Sequence, residues 1–228
     1  MVVIGFLAKE GTTMSEVKTK IKDEKGVRLF DSDFMEFFTH ISPIAVLVIF
    51  LPVIGFFVWR SIQANSEKTW WMVLISFAIG LLIWPFVEYA LHRFMFHFKP
   101  KKTTPRMDRF LFLMHGVHHD EPRVKTRLVM PPVLSIPLAA LFYGLFWLLV
   151  GKLIGAWYLV DGMFAGFLLG YVLYDMTHYV LHHFSLKGKY AQALRRHHMA
   201  HHFKTHDARY GVTTWFWDLV FGTLPKDS

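Results

Sequence analysis

The sequence predicts an all-α integral membrane protein, with four transmembrane helices in two hairpins and a cytosolic helical cap that holds a poly-histidine dimetal site. Hydrophobic residues make up 54% of the 228-residue chain, including 23 Phe, which is high for a soluble protein. Apolar segments lie at about 43–59, 70–91, 132–150 and 157–181, and each is near the roughly 20 residues that span a bilayer. The chain has 14 His and no Cys, which excludes disulfides and thiolate catalysis.

Basic residues indicate how the four segments are oriented. The loop from His92 to Met130 and both ends of the chain are rich in Lys and Arg, whereas the connections 60–69 and 151–156 are short. By the positive-inside rule, both termini and the long loop lie in the cytosol. We therefore expect a multi-pass protein of a bacterial inner membrane, or of the endoplasmic reticulum in a eukaryote. The net charge of +8 clusters beside the spans, which favours contacts with membrane lipids over a nucleic-acid partner.

The chain is expected to comprise a cytosolic N-terminal segment, residues 1–40, and a single membrane domain, residues 41–228. A short helix in the membrane interface should end the first segment, because apolar residues there recur at helical spacing. These residues are Phe34, Phe37, Phe38 and Ile41. We expect Asp33 to cap this helix while Glu36 reaches back, as in a capping box.

Ten of the histidines form four groups that are candidates for metal ligation. The groups are His92 with His97; His115, His118 and His119; His178 with His182; and His198, His201 and His202. Helical rise puts the first and third groups about 31–33 Å from the tryptophans that begin their spans, which is one bilayer thickness. A tetrahedral zinc ion uses four ligands, so ten imidazoles predict two metal ions with about five each.

One spacing does not fit an ideal helix. His92 and His97 differ by five positions, or about 140°, so they cannot share a face of an α-helix. We expect either a helix break near Phe96 or His97 facing the site from a loop.

The remaining histidines have other expected roles. His40 should be an interfacial histidine without metal, and His206 a loop residue. His183 should support the site or face the interface. His197 lies four residues before His201 and is the alternative to His198 as a ligand.

Two carboxylates lie on the histidine faces of membrane helices. Glu88 precedes His92 by four residues and Asp175 precedes His178 by three, so each is predicted to accept the outer ring N–H of a ligand. The alternative is a carboxylate at the wet end of a helix. Asp175, Tyr171 and Tyr174 are candidates for supporting the site or contacting substrate. The alternative for the two tyrosines is anchoring at the interface.

Three glycines repeat every four residues in the last span. The default interpretation is close helix packing, and the alternative is space for an acyl chain. They are Gly162, Gly166 and Gly170.

Five motifs resemble, in order and spacing, the fatty acid 2-hydroxylase branch of the membrane fatty acid hydroxylase superfamily. They are EYALHRFMFH, HGVHH, GYVLYDMTHYVLHH, HHMAHH and GVTTWFWDLVFGT, and the resemblance runs from about Val27 to Thr223. It implies that the ten histidines hold two iron ions, with zinc possible in purified protein. It further implies that dioxygen is used to place an (R)-2-hydroxyl on a long-chain acyl group, free or in a sphingolipid.

The resemblance also bears on partners. Many members carry an N-terminal haem domain, and 40 residues are too few for one, so we expect a separate haem or iron–sulfur protein as electron donor. Competing interpretations are a sterol oxidase, a carotenoid hydroxylase or an acyl desaturase. A metal carrier or zinc-binding structural protein is the alternative from another class, although carriers place ligands near the bilayer midplane.

Overall fold

A computed structural model of the chain describes residues 26–65 and 69–225, so most of the predicted N-terminal segment lies outside the described residues. Within those ranges the chain is helical and contains no strand. Four helices are long and apolar enough to cross a membrane, which confirms the predicted spans. They are Pro43–Ala64, Trp71–Phe96, Pro132–Leu153 and Trp157–His183.

The elements follow one another with short connections, and we number the α-helices α1 to α9. They are α1 Asp33–Phe37, α2 Pro43–Ala64, α3 Trp71–Ala90, α4 Pro105–Leu111, α5 Val117–Asp120, α6 Pro132–Phe146, α7 Trp157–His183, α8 Lys189–Phe203 and α9 Phe216–Val220. Turns of π-helix extend α3, α4 and α6. They are Leu91–Phe96, Phe112–Gly116 and Trp147–Leu153.

Helix α7 is the centre of the bundle. In its apolar window 78% of the residues are buried, against 11 to 28% in the other three spans. Helices α2, α3 and α6 pack around it. Because α7 carries His178 and His182 at its end, the element with the most packing contacts also presents two of the predicted ligands.

The glycine repeat lies where α7 meets α3. A Cβ built on Gly166 would come within 1.9 Å of the Phe77 carbonyl oxygen, and one on Gly162 within 2.0 Å of Ser76 Oγ. On the facing helix, a Cβ on Gly80 would come within 1.8 Å of the Met163 carbonyl oxygen. The predicted close packing is therefore confirmed. The alternative of space for an acyl chain is wrong, because α3 fills it.

The predicted interfacial helix is present as α1. Its phenylalanines Phe34 and Phe37 are exposed, which suits a position in the membrane interface. The predicted cap was wrong by one residue. Ser32 is the N-cap, while Glu36 accepts hydrogen bonds from the backbone N–H groups of Leu29 and Phe30. The preceding segment folds back over α1, so Glu36 bonds to it instead of to the first helical turn.

Helices α4, α5 and α8 form a helical cap over the end of the bundle where α3 and α7 finish. Thr104 is the N-cap of α4, and its side chain accepts from Met107 N–H. Pro105 occupies the first helical position. Gly188 precedes α8 with φ of 90°, a value that glycine adopts without a steric penalty. The helical cap agrees with the prediction, and it brings its histidines over those on the spans.

Candidate metal centre

A π-helical turn resolves the awkward spacing of His92 and His97. The segment Leu91–Phe96 is π-helical, and His97 N–H donates to the His92 carbonyl at 3.1 Å. Because a π turn bonds residues five apart, it brings both side chains to one side, with ring centroids 5.0 Å apart. The helix ends at Phe96, as predicted, but its last turn is a π turn, which is wider than an α turn.

A second π turn shapes the HGVHH motif. The segment Phe112–Gly116 is π-helical, and Val117 N–H donates to the Phe112 carbonyl. His115 lies in this turn, whereas His118 and His119 follow in α5. The motif is thereby divided between two sites, because His115 and His119 face one cluster of rings and His118 faces the other.

The structure brings all ten predicted histidines together, in two groups of five. The first group is His92, His97, His115, His119 and His201. The second group is His118, His178, His182, His198 and His202. In each group the five candidate ligand nitrogens lie within 4.8 Å of one another. The groups adjoin, with the rings of His119 and His202 4.3 Å apart between centroids.

Distances between ring nitrogens fit shared coordination. In the first group, Nε2 of His92 lies 3.1 Å from that of His115, and His201 Nε2 lies 3.0 Å from His97 Nε2. In the second group, Nε2 of His118 lies 2.9 Å from that of His178. Two nitrogens about 2.1 Å from one ion, at right angles, would be about 3.0 Å apart. The residues present therefore fit a metal ion in each group.

Tautomers support the same conclusion. His92 Nδ1–H donates to the Tyr210 carbonyl at 2.5 Å, and His201 Nδ1–H donates to the Ala208 carbonyl at 2.7 Å. A carbonyl can only accept, so in the neutral ring the inward Nε2 carries a lone pair. An inward lone pair on each of these two rings is the form of imidazole that binds a metal ion.

Electrostatics keep the imidazoles neutral. Burial, followed by repulsion from neighbouring rings, lowers the pKa of His97 to about 3 and that of His119 to about 2. Burial lowers the pKa of His201 to about 4, although its bond to Ala208 opposes that shift. Neutral imidazole is the form that binds zinc or iron, so the first group could hold a metal at neutral pH.

Neither of the two carboxylates makes the predicted hydrogen bond to a ligand ring in the described structure. Glu88 Oε1 accepts from the backbone N–H groups of Val212 and Thr213 at 2.7 and 2.8 Å, and not from a ring. Asp175 Oδ1 accepts from Met130 N–H at 3.4 Å, while its buried Oδ2 has no partner in the described structure. Sequence spacing put each on the right helix, but long-range contacts determine what it binds.

The four remaining histidines lie outside both groups. His40 Nδ1 lies 2.7 Å from Thr126 Oγ1. His197 Nε2 lies 3.2 Å from Asp218 Oδ2, so His198 faces the second group in its place. The ring of His183 is tilted against that of Tyr179, with centroids 4.7 Å apart. His206 lies in a turn after α8, with its ring 5.4 Å from that of His119.

Sequence reasoning missed the C-terminal segment as a source of partners for the rings. Asp218 is fully buried and accepts from the backbone N–H groups of Tyr210 and Gly211, both at 2.8 Å. The one available signal was a lone carboxylate within the apolar stretch WFWDLVF. The roles of the Ala208 and Tyr210 carbonyls could not be predicted from the sequence, because every residue has a backbone carbonyl.

A cavity of about 470 Å³ reaches both groups from the side of the bundle. Its outer lining includes exposed Phe34 on α1 and Val133 on α6. Its inner lining includes His115 of the first group, and His118 and His178 of the second. The walls between are mostly apolar, so the cavity suits a long apolar ligand that enters from the membrane.

Tyr174 and Asp175 also line this cavity. The ring of Tyr174 lies 5.7 Å from that of His178 between centroids. Tyr171, by contrast, is buried against Phe50, with centroids 4.9 Å apart, and its hydroxyl donates to the Met130 carbonyl at 3.5 Å. Of the two predicted tyrosines, Tyr174 is therefore the one beside the cavity.

The fold and the site define a class: a multi-pass membrane protein with paired histidine clusters that could hold metal beside an apolar cavity. A family model described as fatty acid hydroxylase matches residues 77–223, which include all ten histidines. The chain belongs to the fatty acid hydroxylase family. Its members are metal-dependent enzymes, which agrees with the two groups.

Comparisons with individual proteins give the same family. The chain is 38% identical over 209 residues to the dihydroceramide fatty acyl 2-hydroxylase FAH1 of Arabidopsis thaliana, covering 92% of this chain and 84% of that one. It is 37% identical to the fatty acid 2-hydroxylase of Mus musculus, covering 87% and 56%. A solved structure described as full-length scs7p, with only the hydroxylase domain visible, matches with a TM-score of 0.78. Identity to it is 32%, covering 95% of this chain and 91% of that one.

Proposed function

We propose that this protein hydroxylates long-chain fatty acyl groups at carbon 2, free or in ceramide, at a di-iron centre held by the two histidine groups. The observation that carries the proposal is the cavity, since its lining includes both exposed apolar residues and ligand candidates of both groups. Relatives named fatty acid 2-hydroxylase and dihydroceramide fatty acyl 2-hydroxylase support the position and the substrate class.

The chain's own residues orient and shield the substrate. Phe34 of α1 lies at the mouth, and Met114, Val133 and Leu134 form an apolar wall for the acyl chain. Water is excluded there, because the walls offer it few polar partners. Asp175 Oδ2 is buried and has no partner among the residues that the structure describes, so it can accept a hydrogen bond from an amide N–H or a hydroxyl near the substrate's polar end.

The position of the groups favours attack close to the headgroup. His92, His178 and His182 lie at the ends of the spans Trp71–Phe96 and Trp157–His183. A lipid whose polar end stays at the interface has carbon 2 just below that boundary, whereas a mid-chain carbon lies deeper. Two iron ions, when bound, would supply the dioxygen chemistry: one oxygen atom enters a C–H bond, the other leaves as water, and a donor supplies two electrons with two protons.

We further propose that both termini and the helical cap face the cytosol, in a bacterial inner membrane or the endoplasmic reticulum. The basic loop between His92 and Met130 supports this orientation. A separate haem or iron–sulfur protein would dock on that basic face. Residues 41–228 would then act as one membrane domain, with residues 1–40 on the same side as the cap.

Isotope-labelled lipid analysis tests the reaction. A host that expresses the chain and a donor receives hexadecanoic acid deuterated at carbon 2, under ¹⁸O₂. We expect wild-type cells to yield an acyl chain that gains one ¹⁸O and loses one deuterium, detected by mass spectrometry in the free or ceramide pool. His201→Ala should abolish this product, and His40→Ala, a histidine outside both groups, should retain it. Oxygen at another carbon, in a sterol or in a carotenoid would contradict the proposal.

A further inference from the structure

Two backbone carbonyls hold rings of the first group, and both come from one short segment. The Ala208 carbonyl accepts from His201 and the Tyr210 carbonyl accepts from His92. These rings come from α8 and from the π turn after α3, which are distant in sequence. We call residues 208–213 the carbonyl segment. Its position therefore sets the orientation and the tautomer of two candidate ligands at once.

The residue between the two carbonyls is strained. Arg209 has φ of 64°, and it is the one non-glycine residue with a positive φ among residues 26–65 and 69–225. Such a conformation costs about 1 kcal/mol for a residue with a Cβ, and it persists only where the surroundings enforce it. Arg209 N–H donates to the Thr223 carbonyl at 3.0 Å, so α9 and the chain beyond it help to enforce the turn.

Asp218 holds the first half of the carbonyl segment. Its Oδ1 accepts from Tyr210 N–H and from the Thr223 hydroxyl, each at 2.8 Å, and its Oδ2 accepts from Gly211 N–H. The backbone packs against Oδ2 so closely that a Cβ on Gly211 would come within 2.9 Å of it. An uncharged amide in place of the carboxylate would turn an N–H₂ group towards donors, so it could not accept all these bonds.

Glu88 holds the second half of the carbonyl segment. Its Oε1 accepts from the backbone N–H groups of Val212 and Thr213, and its Oε2 accepts from the Thr213 hydroxyl at 2.6 Å. Glu88 is buried on α3, one helical turn before His92. The carbonyl segment is thus fastened to the same helix whose end carries the ring that it orients.

Among the described residues, the second group makes no hydrogen bond with the carbonyl segment. Its buried Nδ1 atoms on His118, His198 and His202, like that of His119 in the first group, have no partner in the described part of the chain. None of the bonds that fasten the carbonyl segment reaches a ring of that group. Loosening the segment should therefore disturb one group and spare the other.

We propose that Asp218 and Glu88 are positioning residues for the first group alone, acting through the carbonyls of Ala208 and Tyr210, and that their loss releases one metal ion and leaves the other. This rests on the proposed function in one respect, namely that each group holds a metal. Removing a polar partner of a ligand lowers metal affinity by about 10- to 100-fold in other metal sites. Asp218 binds the backbone that holds the rings, and not the rings of the first group themselves. We therefore expect its loss to lower the metal affinity of the first group by about tenfold.

The test measures metal per chain after a graded chelator challenge of the full-length protein in detergent, by plasma mass spectrometry. Asp218→Asn should lose the first equivalent at about tenfold lower chelator concentration and retain the second. In a His182→Ala background, which removes a ligand of the second group, Asp218→Asn should leave almost no metal. In a His97→Ala background it should cause no further loss. Equal loss in both backgrounds, as general unfolding would cause, or no loss in either, would overturn the proposal.

Two further variants separate positioning from bulk stability. The first is Asp161→Asn. This buried carboxylate accepts from the Tyr143 hydroxyl and lies 3.1 Å from Arg60 Nε, near the start of α7, whereas His178 and His182 lie near its end. The variant should therefore leave metal content unchanged. Arg209→Gly should also retain both metals, because glycine adopts the positive φ freely, whereas Arg209→Val should lose the first. Metal loss in Arg209→Gly would show that the Arg209 side chain is needed, and would contradict a role for the backbone conformation of the carbonyl segment. A wild-type chain that binds no metal would overturn the proposed function, and this inference with it.

Discussion

Substituting Gly166 with alanine should separate the two helices that carry the histidine groups. The new Cβ would lie 1.9 Å from the Phe77 carbonyl oxygen, about 1.5 Å short of an ordinary van der Waals contact. Backbone cannot turn aside as a side chain can, so α7 and α3 must move apart. We expect a cost of about 3 kcal/mol, at the upper end for overpacking. A shift of this size exceeds the roughly 0.2 Å tolerance of metal–ligand distances, so metal should be lost as well.

The matched control is Gly144→Ala on α6, where nothing lies within 4 Å of the new Cβ. Alanine in an open helical position stabilises by about 0.5–1 kcal/mol. Thermal unfolding in detergent, followed by tryptophan fluorescence, and metal content would be measured on both variants. The reasoning is refuted if Gly166→Ala unfolds at the temperature of Gly144→Ala and keeps the wild-type metal content.

Three other substitutions test separate parts of the site. His118→Ala should abolish product and remove about one metal ion per chain, measured by mass spectrometry of lipid and metal; unchanged metal would remove it from the ligand set. Met114→Trp should obstruct the cavity and lower product about 100-fold at unchanged metal content, so parallel loss of both would contradict a purely steric effect. Arg127→Met should destabilise the fold by about 2 kcal/mol in thermal unfolding, because it leaves the half-buried carboxylates of Glu36 and Glu121 without the guanidinium; no shift would show that they find other partners.

Periodicity was sufficient to predict the four spans and the helical cap. Those predictions depend on rise per residue and on apolar runs, which are local properties of the sequence. The geometry of His92 and His97 could not be predicted in this way. A π turn breaks the 3.6-residue period, and no residue type in HRFMFH specifies it.

Roles that depend on distant partners were predicted less well. Glu88 was assigned to His92 because the two lie one turn apart, yet its partners are 124 and 125 residues further along the chain. Asp33 was assigned as the N-cap of α1 from local spacing, whereas Ser32 occupies that position. The segment that folds back over α1, and that Glu36 binds, could not be foreseen from that spacing. A carboxylate's position on a helix face could be read from spacing, whereas its hydrogen bonds depended on the tertiary fold.

The packing of the bundle and the chemistry of the site depend on the same helices. Gly80 and Gly166 let α3 and α7 approach until backbone meets backbone, and this fixes the ends of both spans relative to each other. Those ends carry His92 on one side and His178 with His182 on the other. The two histidine groups adjoin, with rings 4.3 Å apart between centroids, which requires that the helices beneath them also pack closely. We infer that the glycines are needed for the spacing of the two histidine groups, although they lie far from any candidate ligand.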